Sequence, residues 1–91
     1  MFFHIGHDRM IPVGQVLVIL DAGILAWSPE TRQMFNRMRA EGHVEDLPPE
    51  ERKSLILTDA GMVASPISSV TLMRRALRLS TQVRRDAETE E

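Results

Sequence analysis

The 91-residue chain contains no cysteine, which excludes disulfides and thiolate metal sites and removes any cysteine-based case for an oxidising compartment. Its longest unbroken apolar run, Val16 to Leu20, is far too short to span a bilayer. The opening, Met1 to Arg9, lacks the basic region and the apolar stretch of roughly seven or more residues that mark a secretory signal. The expectation is a cytoplasmic protein that does not engage membranes. Strong basicity is also missing: formal net charge is -2, whereas nucleic-acid binders usually carry a marked positive excess. Catalytic signatures are absent too, with no Gly-x-Ser-x-Gly, no Gly-rich phosphate loop and no cysteine nucleophile. The acids Asp21, Glu45, Asp46 and Asp59 fall at expected strand ends or turns, where solubility and turn formation account for them. A chain this short also has little core to spare for a substrate pocket. The expectation is therefore a protein that is not an enzyme, with no cofactor and no small-molecule substrate.

What is present is enough to fold. Hydrophobic residues make up 43% and charged residues 26%, well outside the disordered range. The length suits one domain that buries about 60–65% of the surface its unfolded chain exposes, so an isolated monomer is only marginally stabilised. Residues 1–79 hold nine basic and nine acidic side chains, and residues 80–91 carry a net charge of -2. The chain thus divides into a single domain over 1–79 and a charged, frayed C-terminal tail over 80–91.

Local patterns predict the order β-β-α-β-β-β-α, an α+β fold built on a small antiparallel β-sheet with two α-helices. Phe2 to Ile5 reads as a strand, Gly6-His7-Asp8 as a polar turn, and a second extended stretch begins near Met10, its start weakened as a central strand by Pro12. Val16 to Leu20 is apolar at every position, so both of its faces demand cover. Ser28, Pro29 and Glu30 form a helix start and Gly42 its stop. Between them run an apolar stripe of Met34, Phe35 and Met38 and a basic side of Arg32, Asn36 and Arg39. His43 to Leu47 looks like a short strand, and Pro48-Pro49-Glu50-Glu51 a charged loop. Arg52 to Thr58 and Met62 to Ser65 make the clearest hairpin, turned by Asp59-Ala60-Gly61. After Pro66, Ser68 or Ser69 caps a last helix with an apolar line of Val70, Met73 and Leu77, widened by Leu72, Ala76 and Leu79. If that helix continues, Arg85 extends a basic stripe from Arg75, Arg78 and Gln82.

Two groups of side chains invite chemistry. His4, His7 and Asp8 suggest a metal, but strand residues three apart point to opposite faces and no third ligand has a recognisable spacing, so no metal site is expected. The arginines are the better lead. Arg32, Arg37 and Arg39 lie on the first helix, Arg52 and Lys53 at a strand entrance, and Arg74, Arg75 and Arg78 on the last helix. Such groups grip phosphates, and an oligomer repeats them and adds contacts through avidity. A solvated helix face, or salt bridges with Glu30, Glu41 and Glu50, explains the same residues without a ligand. Self-association has separate support: two helices of about twelve residues are thin cover for a sheet with a fully apolar strand, and Trp27, Phe2 and Phe3 sit where a small monomer exposes them. A single tight monomer core is the alternative.

Three stretches together resemble the RemA/RemB family of bacterial extracellular matrix regulators, most closely its RemB branch. They are Met1-Phe2-Phe3-His4-Ile5-Gly6, the apolar strand Val16 to Leu20 followed by Asp21, and Lys53 to Asp59 leading into Ser65-Pro66-Ile67-Ser68-Ser69-Val70-Thr71-Leu72. The resemblance covers about residues 1–78. It implies a compact subunit that assembles into a ring-like homo-oligomer, binds double-stranded DNA on arginine-lined surfaces and regulates transcription of biofilm-matrix genes. The family's basic pair matches Arg52 and Lys53, which are the first-choice DNA contacts, with Arg74, Arg75 and Arg78 second. A further family arginine falls near Gln15, which can hydrogen-bond a phosphate but does not neutralise it. The rival expectation is an oligomeric protein-interaction module that does not bind DNA directly.

Overall fold

A computed structural model describes the backbone of residues 1–89 and the side chains of residues 1–79. The fold is α+β, with two sheets and three α-helices: β1 (Phe2–Gly6), β2 (Arg9–Pro12), β3 (Val16–Asp21), α1 (Ile24–Trp27), α2 (Pro29–Ala40), β4 (Val44–Glu45), β5 (Ser54–Thr58), β6 (Gly61–Ser65) and α3 (Ser69–Thr89). Helix α3 continues ten residues past the expected domain boundary at Leu79. The side chains of the charged tail, and with them the Arg85 end of the basic stripe, lie outside the described residues.

The expected single antiparallel sheet is corrected in two respects. First, β1 and β2 form a separate two-stranded sheet. Pro12 ends β2, and a 3-10 turn over Val13–Gln15 redirects the chain before β3. The β1–β2 turn places His7 and Asp8 at φ 48 and 60, two successive left-handed positions that suit the twist of a hairpin. Second, the four-stranded sheet has the order β3-β5-β6-β4, and β4 runs parallel to β6. Strand β5 already pairs with β3 on one side and with β6 on the other, so it is closed to β4, which takes the free side of β6 and leaves β3 at the opposite edge.

Both long helices begin with the same device. Ser28 Oγ accepts from the Thr31 N–H at 3.3 Å, and Ser68 Oγ accepts from the Thr71 N–H at 3.2 Å. Helix α2 ends as its glycine predicts: Gly42 has φ +81, its N–H donates to Arg39 O, and the His43 N–H donates to Met38 O. The additional helix α1 is one turn long, too short to show a period, and follows a turn in which the Asp21 carboxylate accepts from the Gly23 N–H at 2.7 Å.

Strand alternation in the central sheet sends side chains into two cores. On one face Ile56 and Val63 pack with Phe3, Ile5 and Ile11 of the hairpin and with Leu72 of α3. On the other Leu55, Met62 and Ala64 pack with Phe35 of α2. The sheet is thus the middle of three layers, with α1 and α2 on one side and the hairpin and α3 on the other. Phe3, expected at the surface, is buried, because it lies on the inner face of β1 while Phe2 lies on the outer. The last helix also differs from expectation. Leu72, Ala76 and Leu79 face the core, whereas Val70, Met73 and Leu77 face outward.

The Ser65-Pro66-Ile67-Ser68-Ser69 stretch has a structural explanation. Ser54 and Ser65 are cross-strand partners and fully buried. Ser65 Oγ donates to Ile5 O at 2.6 Å and accepts from the Ile67 N–H at 3.0 Å, while Ser54 Oγ donates to Ile67 O at 2.7 Å. These bonds tie β1, β5 and the β6–α3 connection together. Gly6 is fitted to the same junction: a Cβ there would lie 2.7 Å from the Pro66 ring, and its φ is +108.

Candidate nucleic-acid interface and assembly face

The basic residues expected at a DNA interface occupy different settings. Arg52 is not a free cation. Its Nε and Nη2 donate to the two Asp46 carboxylate oxygens at 2.7 and 2.8 Å, its side chain is 13% exposed, and its guanidinium lies 5.1 Å from the Phe35 ring centroid. This ion pair spans Pro48-Pro49 and closes the loop before β5. It holds the Asp46 carboxyl below its usual range and raises the Arg52 guanidinium further above its own. Lys53 next to it is exposed, and its backbone is fixed by Lys53 N–H to Ser65 O at 2.9 Å.

On α3, Arg74 and Arg78 are exposed one turn apart, with no side-chain hydrogen bond or ion pair among the described residues. Arg75 is half-buried and donates to His4 O at 2.9 Å, which pins α3 to β1. On α2, Arg37 is exposed and unpaired among the described residues. Arg32 donates to Leu25 O at 3.1 Å, and Arg39 lies 3.5 Å from Asp46. Since α2 and α3 cover opposite faces of the sheet, the three arginine groups do not form one surface within a single chain. Gln15 is exposed in the turn before β3. Arg9, not singled out by the sequence, pairs through two nitrogens with Glu45 at 2.9 and 2.8 Å and lowers that carboxyl's pKa.

Among the described residues no group of three His, Asp or Glu side chains is placed to hold a metal ion, and no helix is long and apolar enough to cross a membrane.

The apolar strand lies at an edge. β3 pairs with β5 on one side only, and a bulge between Val16 and Val18 leaves Leu17 62% and Val18 42% exposed. Met73, Ala76 and Leu77 of α3 stand beside them across a groove of about 240 Å³. Among the described residues the cover demanded by Val16 to Leu20 is thus incomplete. The sequence pointed to this strand but missed the contribution of α3, because the helix carries two apolar lines and periodicity does not say which one faces inward.

No protein-family model matches the chain, and no curated protein matches it.

Proposed function

We propose that the protein is a cytoplasmic, self-assembling DNA-binding regulator of the kind its resemblance to bacterial extracellular matrix regulators implies. The observation that carries the reading is the exposed apolar face formed by the β3 edge and the outer line of α3. An edge strand bearing Leu17 and Val18 beside Met73 and Leu77 is a template for pairing with another chain. Assembly repeats the exposed cations Lys53, Arg74 and Arg78 around the particle, so that contacts too sparse in one subunit act together on one duplex. These contacts address phosphates, giving affinity and positioning rather than base readout.

The test is anisotropy titration with duplex DNA at two salt concentrations. Binding is expected to weaken steeply with salt and to fall by at least about ten-fold in the Lys53→Ala/Arg74→Ala/Arg78→Ala variant. Absence of binding at low salt overturns the reading.

A second reading, an oligomeric interaction module that recruits a protein without touching DNA, is favoured by the commitment of Arg52 to Asp46 and of Arg9 to Glu45, which removes two cations from the free surface. It predicts the same assembly with no DNA binding.

A further inference from the structure

We propose that Arg52 and Arg39, gathered over the Phe35 ring, form a phosphate-binding clamp that Asp46 holds closed. The proposal rests on the DNA-binding reading and assigns a regulatory contact within it.

The geometry that defines the clamp is the fork of Arg52. A carboxylate and a phosphodiester offer this fork the same two-oxygen edge, so a group that binds Nε and Nη2 through both oxygens occupies the position a DNA phosphate takes. Asp46 does so at 2.7 and 2.8 Å. Its orientation is fixed by its own chain, since Oδ1 also accepts from the Leu47 N–H at 2.8 Å. Arg39 approaches the same carboxylate more loosely, at 3.5 Å, with half of its side chain exposed. The two guanidinium carbons lie 5.1 and 5.4 Å from the Phe35 centroid, so both cations contact the same buried ring.

Arg52 also borders an open groove of about 410 Å³ together with Ala22, Gly23, Leu25, Ala26 and Pro49. Exposed Lys53 follows directly in the chain. Counting Asp46 alone, the pair of arginines carries a net charge of about +1, and Glu50 adds a further negative charge that acts on Arg52; displacement of Asp46 by a phosphate exposes both arginines to the ligand. Asp46 therefore competes with DNA, and the competition ends only when neighbouring contacts bring a phosphate to the Arg52 fork at high local concentration. A purely structural role, in which the ion pair merely pins the Pro48-Pro49 loop, predicts no such competition.

The experiment measures duplex DNA affinity by anisotropy against salt for the full chain, Asp46→Asn, Asp46→Asn/Arg52→Ala and Glu41→Gln. Glu41 is exposed at the end of α2 and has no side-chain partner among the described residues, so its variant removes the same charge without freeing an arginine. Asp46→Asn is expected to tighten binding about ten-fold at low salt and to steepen the dependence of log K on log salt by about one unit. Glu41→Gln changes affinity less than about two-fold, and adding Arg52→Ala removes the gain. Asp46→Ser, which keeps an acceptor for the Leu47 N–H, serves if the asparagine variant does not fold. Wild-type binding with Asp46→Asn no tighter than Glu41→Gln overturns the clamp and leaves the DNA reading standing. Failure of both wild type and Asp46→Asn to bind at low salt overturns both.

Discussion

At one edge of the four-stranded sheet β4 is two residues long and flanked by ion pairs; at the other β3 is six residues long and presents Leu17 and Val18 to solvent. The first edge follows the usual ways of refusing further strands: shortness, and charge at the strand itself, with Glu45 held by Arg9 and Asp46 by Arg52. The second edge has neither protection. One sheet thus carries a finished edge and an unfinished one, and the unfinished one is where the proposed assembly would form. It also separates two roles for charge. The acids beside β4 keep that edge single, whereas the exposed cations on α3 lie on the helix that borders the open edge.

The largest effect is expected from breaking the finished edge at Gly61. Its φ is +140, and a Cβ would lie 2.4 Å from His43 O, the carbonyl that accepts the Met62 N–H. Gly61→Ala should cost about 3 kcal/mol in denaturant unfolding by displacing β4 from β6. The next largest acts on the open edge. Leu17→Asp/Leu77→Asp places charge on both walls of the apolar groove and should weaken self-association by about 2 kcal/mol or more, roughly thirty-fold. Both side chains are mostly exposed in the single chain, so its thermal unfolding should change little.

Asp46→Asn sharpens the comparison from the charged side, with an expected loss of about 1–2 kcal/mol at neutral pH. Arg52 holds the folded-state pKa of Asp46 below its ordinary value, so the stability it contributes is present above that ordinary value and is lost as pH falls through the lowered one. The wild type should therefore lose stability on acidification through that window, and the asparagine variant should lose less. The smallest effect is expected at the more exposed pair: Glu45→Gln should change stability by about 0.5 kcal/mol or less.

Much of this fold is legible in the sequence where local chemistry decides it. Ser28 with Pro29, Gly42, and the Asp59-Ala60-Gly61 turn each determine their own conformation, and the elements begin and end at or beside them. What was not legible depends on contacts between distant segments. Nothing local says that β4 runs parallel to β6, since that pairing is made with a strand beyond β5 rather than with its neighbour in the chain. Nor does the period of α3 reveal that Leu72, rather than Met73, faces inward, because both lines are apolar and the choice belongs to the hairpin and sheet they meet. The candidate site behaves in the same way. Arg52 and Lys53 are adjacent in sequence, yet Asp46 and Phe35 claim the first and leave the second in solvent.

Light scattering of the wild type and of Leu17→Asp/Leu77→Asp at micromolar concentration tests the open-edge account most directly. The wild type is expected at a multiple of 10.3 kDa and the variant at 10.3 kDa. A wild-type mass of 10.3 kDa contradicts it.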